Sequence, residues 1–291
     1  MSQPSHHDGS AIETILHPSD FSEAGESAFA HALKAALTAH ARLYLLHVEK
    51  AAEEAAWADF PGVRGTLGRW GLIQPGSDRS AVPALGIEVR KVMAHGSDPV
   101  PSILHFLEKH PMDLIVLGVH HHSGATHWLH RSVAEPVARK SGSMTLFVPH
   151  GVAGFVARDT GAVSLRNILV PIAATPRPQP AVAGAARIAR RLNCPTGMFT
   201  LLHVGESGSA PAVETPEVPG WTWRRETRPG EVIETILRTA EETSADLIVM
   251  ATDGRNGFLD ALRGSHSERL IRRAKSPLLA IPQGASAERV L

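Results

Sequence analysis

The chain has 291 residues, of which 43% are hydrophobic and 20% are charged, a composition typical of a globular protein with an apolar core. Lysine plus arginine and aspartate plus glutamate each number 29, so no net charge attracts nucleic acid or an anionic membrane, and we expect neither partner. The single cysteine, Cys194, the lack of a signal peptide in residues 1–10 and the lack of an apolar run of about 18 residues predict a cytoplasmic protein.

Short apolar runs alternate with amphipathic stretches along the first half, which predicts strands alternating with helices. Asp20 and Glu23 have the spacing of a capping box, so we expect the first helix to begin there and to end near Ala39. The predicted strands are residues 12–16, 43–48, 87–93, 113–117 and 145–148, with further helices over 51–60, 98–109 and from near 132.

The second half begins with a predicted strand over residues 167–171, and residues 206–219 are predicted to form a loop because they are rich in Gly, Pro and Ser. Trp221 and Trp223 alternate with polar residues, which indicates a half-buried strand. Cys194 has no equivalent in the first half and is interpreted as a packing residue. Alternating strands and helices indicate an α/β fold, a parallel sheet with helices on both faces and ligands at the carboxyl ends of its strands.

The sequence DLIV occurs at residues 113–116 and again at 246–249, an offset of 133 positions. Upstream the offset is 156 for His47 and His203, so the first copy holds about 23 extra residues after its second strand. We predict two copies of one domain, residues 1–155 and 156–291. Other pairs at the offset of 133 are Gly124 and Gly257, Ser132 and Ser265, Glu135 and Glu268, Arg139 and Arg272, and Pro149 and Pro282.

A glycine-containing loop follows the fourth strand of the second copy, with Ala251, Gly254, Arg255, Gly264 and Ser265 along it. Small residues let a backbone approach a ligand, and a helix beginning at Ser265 would direct unpaired N–H groups at a phosphate. Because many α/β loops contain glycine, the spacing fits either a phosphate-binding loop or a purely structural turn.

The spacing of Gly254, Gly264 and Ser265 resembles the G-x-x-G-(nine residues)-G-S/T loop of the ATP-binding universal stress proteins. Residues 18–22 resemble the segment that opens that family, and His47 with Val48 resembles the end of its second strand. The resemblance covers both copies and implies two Rossmann-like domains, each an open five-stranded sheet. It further implies a cytoplasmic stress-response protein that binds ATP or another adenine nucleotide, with Mg²⁺ accompanying it, and at most slow hydrolysis.

The two copies depart from the family pattern at different positions. The first keeps Asp20, which the resemblance assigns to the nucleoside, but His121 and Arg131 replace two loop glycines. A β-carbon where φ must be positive costs about 1–2 kcal/mol. In the second copy Ala173 replaces the aspartate. The resemblance thus assigns a nucleotide site to Pro171, Ile172, Ala173, Val204, Ala251, Gly254, Arg255, Gly264 and Ser265, and a less complete one to Pro18, Ser19, Asp20, Val48, Gly118 and Ser132.

Histidines are concentrated between residues 120 and 130. This tract is interpreted as a solvated loop, as a weak metal site of His120, His121 and His122, or as a direct phosphate contact. His47 and His203 end matching strands and are expected to have a common structural role. No spacing indicates nucleophilic catalysis.

Three functions remain open from the sequence: a nucleotide-binding regulator that acts without turnover, a nucleotide-free interaction module, and a metal-responsive protein. The resemblance also implies pairing of final strands across a two-fold axis. Residues 145–148 and 278–281 could therefore pair within one chain as a pseudo-dimer, which could associate again into a homodimer.

Overall fold

The computed structural model describes residues 12–22, 25–49, 57–119, 133–253 and 265–283, without the side chains of 265–268. Ten strands form one sheet in the order β3-β2-β1-β4-β5-β10-β9-β6-β7-β8. They are β1 (Thr14–Pro18), β2 (Arg42–Glu49), β3 (Glu88–His95), β4 (Leu114–Val119), β5 (Met144–Pro149), β6 (Asn167–Ile172), β7 (Gly197–Val204), β8 (Trp221–Arg228), β9 (Leu247–Thr252) and β10 (Leu278–Pro282).

A loop connects β7 to β8, and the other parallel strands of each half are connected by helices. The helices are α1 (Glu26–Ala39), α2 (Val63–Arg69), α3 (Pro99–Lys109), α4 (Ala134–Ser141), α5 (Gln179–Arg191), α6 (Val232–Glu242) and α7 (Ser265–Arg273), with 3₁₀ turns at Arg79–Ala81 and Pro83–Leu85. The α/β class and the parallel five-stranded sheet of each half are confirmed. Among the described residues, no helix is long and apolar enough to cross a membrane.

Strand register confirms that the two halves are copies of one fold. Ile15 pairs with Leu114 in the first half, and Ile168 pairs with Leu247 in the second. These pairs match at offsets of 153 for β1 and β6 and 133 for β4 and β9. The predicted loop over 206–219 has no helix or strand.

The two halves join through β5 and β10, which are antiparallel. Leu146 lies opposite Leu279, Phe147 opposite Leu278 and Thr145 opposite Ala280. Since the repeat makes residue 146 equivalent to 279, the junction has two-fold symmetry about that pair. The intrachain pairing of the two final strands is therefore confirmed.

Alternate residues of each strand enter two apolar layers, because successive side chains point to opposite faces of a sheet. One layer lies under α1 and α5 and includes Leu43, Leu45 and Phe199. The other lies under α3, α4, α6 and α7 and includes Leu46 and Phe147. Burial on both faces explains why the strands read as continuous apolar runs.

The first helix begins later than the sequence predicts. α1 starts at Glu26 with Gly25 as its N-cap and no capping side chain, so the predicted capping box at Asp20 is wrong. The Asp20 carboxylate instead accepts hydrogen bonds from Ser22 N at 3.0 Å and from Ser22 Oγ at 2.6 Å. Phe21 between them has a positive φ of 61°, which a helix cannot contain. The predicted end at Ala39 is confirmed.

The extra residues of the first half contain α2 and the two 3₁₀ turns. The helix predicted over 51–60 lies partly outside the described residues, and residues 57–60 form a turn. For residues 57–60 that prediction is wrong, because Pro61 and Gly62 follow them at once and the helix begins at Val63.

Residues 150–166, between β5 and β6, form a small hairpin on α1, with a bridge between Val156 and Val163. His31 of α1 is its main anchor: Nδ1 lies 2.7 Å from Ser27 O, and Nε2 accepts from the N–H groups of Phe155 at 3.2 Å and Val156 at 3.3 Å. This side chain is 2% exposed. The predicted division near residue 155 falls within this hairpin.

Candidate functional site

Each half has a topological switch point, here called its crevice, where the helices leave the sheet in opposite directions. α1 follows β1 onto one face, whereas α4 follows the neighbouring strand β4 onto the other. Such a switch point, at the carboxyl ends of the strands, is where open α/β sheets bind ligands. The sequence-predicted residues at the ends of β1, β2 and β4, and of β6, β7 and β9, therefore lie around two equivalent crevices.

A histidine closes the second strand of each half against the first. His47 Nδ1 lies 2.8 Å from Ser19 O, and His203 Nδ1 lies 3.2 Å from Ile172 O. Both side chains are 9% exposed, and the two carbonyls are equivalent positions. The expected common structural role is confirmed, since each histidine fixes the chain that leaves the first strand.

Aromatic side chains fill the crevice of the first half beside this histidine. The Phe21 ring stacks on His47, with ring centroids 3.8 Å apart and ring planes 14° apart. The Phe60 ring contacts the Phe21 ring edge-on, with centroids 4.9 Å apart. Trp57 stacks on Phe60 at 5.6 Å. Lys91 Nζ lies 5.3 Å from the Phe60 centroid and donates to Trp57 O at 3.2 Å. We call Phe21, His47, Phe60 and Trp57 the aromatic stack.

A buried histidine underlies the same crevice. His17 is 1% exposed, and its Nδ1 lies 3.0 Å from Val116 O. Burial lowers the pKa of His17, although the Val116 carbonyl and the Asp20 charge act in the opposite direction. The neutral ring donates from Nδ1, and Nε2 has no hydrogen-bond partner among the described residues. Val170 occupies the equivalent position of the second half.

The first loop position of the family pattern is Gly118 in the first half and Ala251 in the second. A β-carbon on Gly118 would lie 3.8 Å from Ala28 Cβ and 3.9 Å from Gly25 Cα, which is ordinary contact with the start of α1. Ala251 is 5% exposed within the layer under α5. By equivalence its methyl faces the start of α5.

The equivalent residues of the second half are about as exposed as those of the first. Pro171 and Val204 are half-buried, Ile172 is 5% exposed, and Ala173 is exposed. His203 Nε2 lies 2.8 Å from Ser209 Oγ, in the loop that replaces the insertion of the first half. No aromatic ring contact to His203 is found among the described residues.

The end of β9 carries a polar group without a partner. Thr252 is 2% exposed, and its Oγ1 makes no hydrogen bond among the described residues. The backbone of Thr252 is fixed by Gln283 N, which donates to its carbonyl at 2.7 Å. A buried hydroxyl without a partner costs about 1–3 kcal/mol. Its position at the start of the glycine-containing loop fits a site completed by a polar ligand.

Several predicted site residues lie outside the described residues: Gly254, Arg255, Gly264, Ser132, His120, His121 and His122. Ser265 is the first residue of α7. Within the described ranges, no three His, Cys, Asp or Glu side chains are grouped to hold a metal ion. The aromatic stack and Thr252 were not predicted; a positive-φ Phe has no local sequence signal, and a lone Thr ends many strands.

A family model described as the universal stress protein family matches residues 11–149 and 216–282. The sequence matches none of the curated proteins with which it was compared. The two family matches fall in the two halves of the sheet.

Solved structures share the fold over nearly the whole chain. A universal stress protein from Archaeoglobus fulgidus DSM 4304 has a TM-score of 0.60 and 18% identity, covering 93% of this chain and 98% of its own. A protein of unknown function from Pseudomonas aeruginosa PAO1 has a TM-score of 0.60 and 14% identity, covering 96% and 95%. These structures contain both halves. The chain belongs to the universal stress protein family, with two copies of its fold in tandem.

Proposed function

We propose that this universal stress protein is cytoplasmic and binds an adenine nucleotide, with ATP as the first candidate, in its second half. It would act in the stress response through binding rather than turnover, and we assign no catalytic residue. Family membership supports the stress-response assignment. The choice of half rests on Thr252, whose equivalent in the first half is Val119.

The Thr252 hydroxyl carries the proposal. It is buried, with no hydrogen-bond partner in the described part of the chain, at the end of a central parallel strand, where the loop toward α7 begins. A loop between such a strand and a helix N-terminus is suited to phosphate, because the first N–H groups of a helix have no partners within it. We infer that Gly254, Arg255, Gly264 and Ser265 contact the phosphates. Pro171, Ile172, Ala173, Val204 and Ala251 would surround the nucleoside, and Mg²⁺ would neutralise phosphate charge.

Calorimetric titration with ATP and Mg²⁺ tests this assignment. Gly264→Asp places a β-carbon and a negative charge in the phosphate loop, and we expect it to weaken ATP binding at least tenfold, about 1.4 kcal/mol. Arg131→Asp, at the equivalent position of the first half, is the matched control and should leave binding unchanged. Absence of heat at millimolar ATP, or equal effects of the two substitutions, would refute the proposal.

We further propose that the chain is monomeric in solution, as a pseudo-dimer. The final strands of the two halves, β5 and β10, pair with each other, so neither is free to pair with the final strand of another chain. Light scattering should give the mass of one chain, 31.1 kDa. Twice that mass would contradict the prediction. The same continuous sheet favours an interaction module as the second candidate function.

A further inference from the structure

The second half has a cavity at the amino ends of its strands, between α6 and the segment that joins α7 to β10. Its volume is about 470 Å³, and we call it the α6 cavity. Ala245 lines it just before β9 begins, whereas Thr252 ends that strand. The length of β9, roughly 20 Å, therefore separates the α6 cavity from the proposed nucleotide site.

The α6 cavity exists where the second half has smaller side chains than the first. α3 and α6 match end to end at the offset of 133. At that offset Leu107 is equivalent to Ala240, and Met112 is equivalent to Ala245. Leu107 and Met112 are 8% and 6% exposed in the apolar layer under α3. Because alanine is much shorter than leucine or methionine, the same backbone leaves a space in the second half.

The second half also adds a positive charge at this cavity. Two cations and one carboxylate line it: Arg273, Lys275 and Glu241. Lys275 is equivalent to Gly142, whereas Arg273 and Glu241 have charged equivalents of the same sign in the first half. The lost apolar volume and the added charge therefore occur together, and the charged lining has an excess of one positive charge.

The two cations of the lining form ion pairs at the surface. Lys275 Nζ lies 2.9 Å from a Glu241 carboxylate oxygen, and the two side chains are 74% and 57% exposed. Arg273 donates to both carboxylate oxygens of Glu234, which holds its guanidinium at the edge of the cavity. Exposed ion pairs contribute little to stability. Lys275 can therefore exchange Glu241 for the carboxylate of a ligand at small cost.

We propose that the α6 cavity binds a small organic monocarboxylate with an apolar body. The apolar body contacts Leu237, Ala240 and Ala245, which are buried and line the cavity, and the carboxylate pairs with Lys275. Small-molecule sites typically have volumes of about 300–1,000 Å³, with mostly apolar walls and a few polar groups. The excess positive charge favours an anion over a neutral or cationic molecule of the same shape.

Titration of the full chain with hexanoate, followed by amide NMR shifts, tests this site. We expect saturable shifts in residues 240–245 and 273–276, with a dissociation constant in the millimolar range for so small a ligand. The alcohol 1-hexanol has the same apolar chain without the charge, and we expect it to bind at least about fivefold more weakly.

Three substitutions separate the volume of the cavity from its charge. Lys275→Gln should weaken hexanoate binding about fivefold and leave the affinity for 1-hexanol unchanged. Ala245→Met and Ala240→Leu introduce the side chains that the first half has at the equivalent positions, and each should abolish binding of both probes. Arg238→Gln removes a cation of α6 that does not line the cavity, and this matched control should bind normally. Thermal melting checks that each variant is folded.

The proposal is supported if both filling substitutions abolish binding and Lys275→Gln weakens hexanoate binding alone. Shifts that do not saturate or that lie elsewhere in the chain would overturn it. Equal affinities for hexanoate and 1-hexanol, or hexanoate binding that persists in Ala245→Met and Ala240→Leu, would overturn it as well.

Discussion

Acidification from pH 7 to pH 4 should lower the free energy of unfolding by on the order of 3 kcal/mol through His31 alone. Burial lowers the pKa of this imidazole to about 4, although the hydrogen bond with Ser27 O acts in the opposite direction. The neutral ring is the form that fits, because Nε2 must accept from the N–H groups of Phe155 and Val156. A protonated ring would have only donors there.

The direction of this pH effect on stability follows from the pKa values of His31 in the unfolded and the folded chain. In the unfolded chain the imidazole takes up its proton near pH 6.5, whereas in the folded chain it stays neutral to about pH 4. Between those values the unfolded state binds more protons than the folded state. The contribution of neutral His31 to the free energy of unfolding is therefore complete above pH 6.5 and is lost as the pH falls. Burial lowers the pKa of His17 as well, which adds to the same trend.

Denaturant unfolding at several pH values checks the effect of His31. His31→Gln does not titrate, and we expect it to flatten the stability profile between pH 6.5 and 4. His17→Val places in the first half the residue that the second half has at position 170, and it is the control for the other buried imidazole. A profile of His31→Gln parallel to that of the unmodified protein would contradict the assignment.

Phe199→Ala should destabilise the chain by about 3–5 kcal/mol, the range for removing a fully buried aromatic side chain. Phe199 is 0% exposed on β7, and its ring lies 4.1 Å from Trp223 and 4.5 Å from Trp221, centroid to centroid. Its loss leaves a cavity beneath two indole rings whose N–H groups are tied to Pro216 O and Cys194 O. Those hydrogen bonds hinder the two indole rings from moving into the cavity.

Met198 provides the matched control on the same strand. It is 37% exposed, so Met198→Ala should change stability by no more than about 1 kcal/mol. Urea unfolding of both variants gives the comparison. Equal losses would mean that β7 and β8 are not packed as described.

The sequence predicted the strands well wherever burial on both faces of the sheet made them apolar. The repeated DLIV segments begin one residue before β4 and β9, and their aspartates accept hydrogen bonds from the first residues of β1 and β6. Asp113 Oδ2 accepts from Thr14 N at 3.0 Å, and Asp246 Oδ2 from Asn167 N at 2.8 Å. The repeated residues gave the offset of 133, and the family resemblance implied the junction of β5 with β10.

Local sequence patterns gave wrong predictions, or none, where a tertiary contact determines the conformation. The spacing of Asp20 and Glu23 indicates a capping box, but the Asp20 carboxylate accepts a hydrogen bond from Ser22 N instead of capping a helix. The position of Phe21 depends on Phe60, which lies 39 residues away in an insertion whose structure no periodicity predicts. His31 likewise has its role only because the hairpin of residues 150–166 folds back onto α1. A local sequence pattern does not predict contacts between residues this far apart in the chain.

The two halves therefore share one fold and differ in one crevice. The first keeps Asp20 but fills the space beside His47 with its own rings. The second lacks that aspartate and has, at the end of β9, a buried Thr252 hydroxyl with no hydrogen-bond partner among the described residues.

Hydrogen exchange with and without saturating ATP tests the asymmetry of the two halves most directly. We expect slower exchange in peptides covering residues 171–174, 204–206 and 253–266, because bound ligand protects the amides that it contacts. Peptides covering residues 18–22 and 118–133 should exchange at unchanged rates. Protection confined to the first half, equal protection of both halves, or none in either would contradict the account.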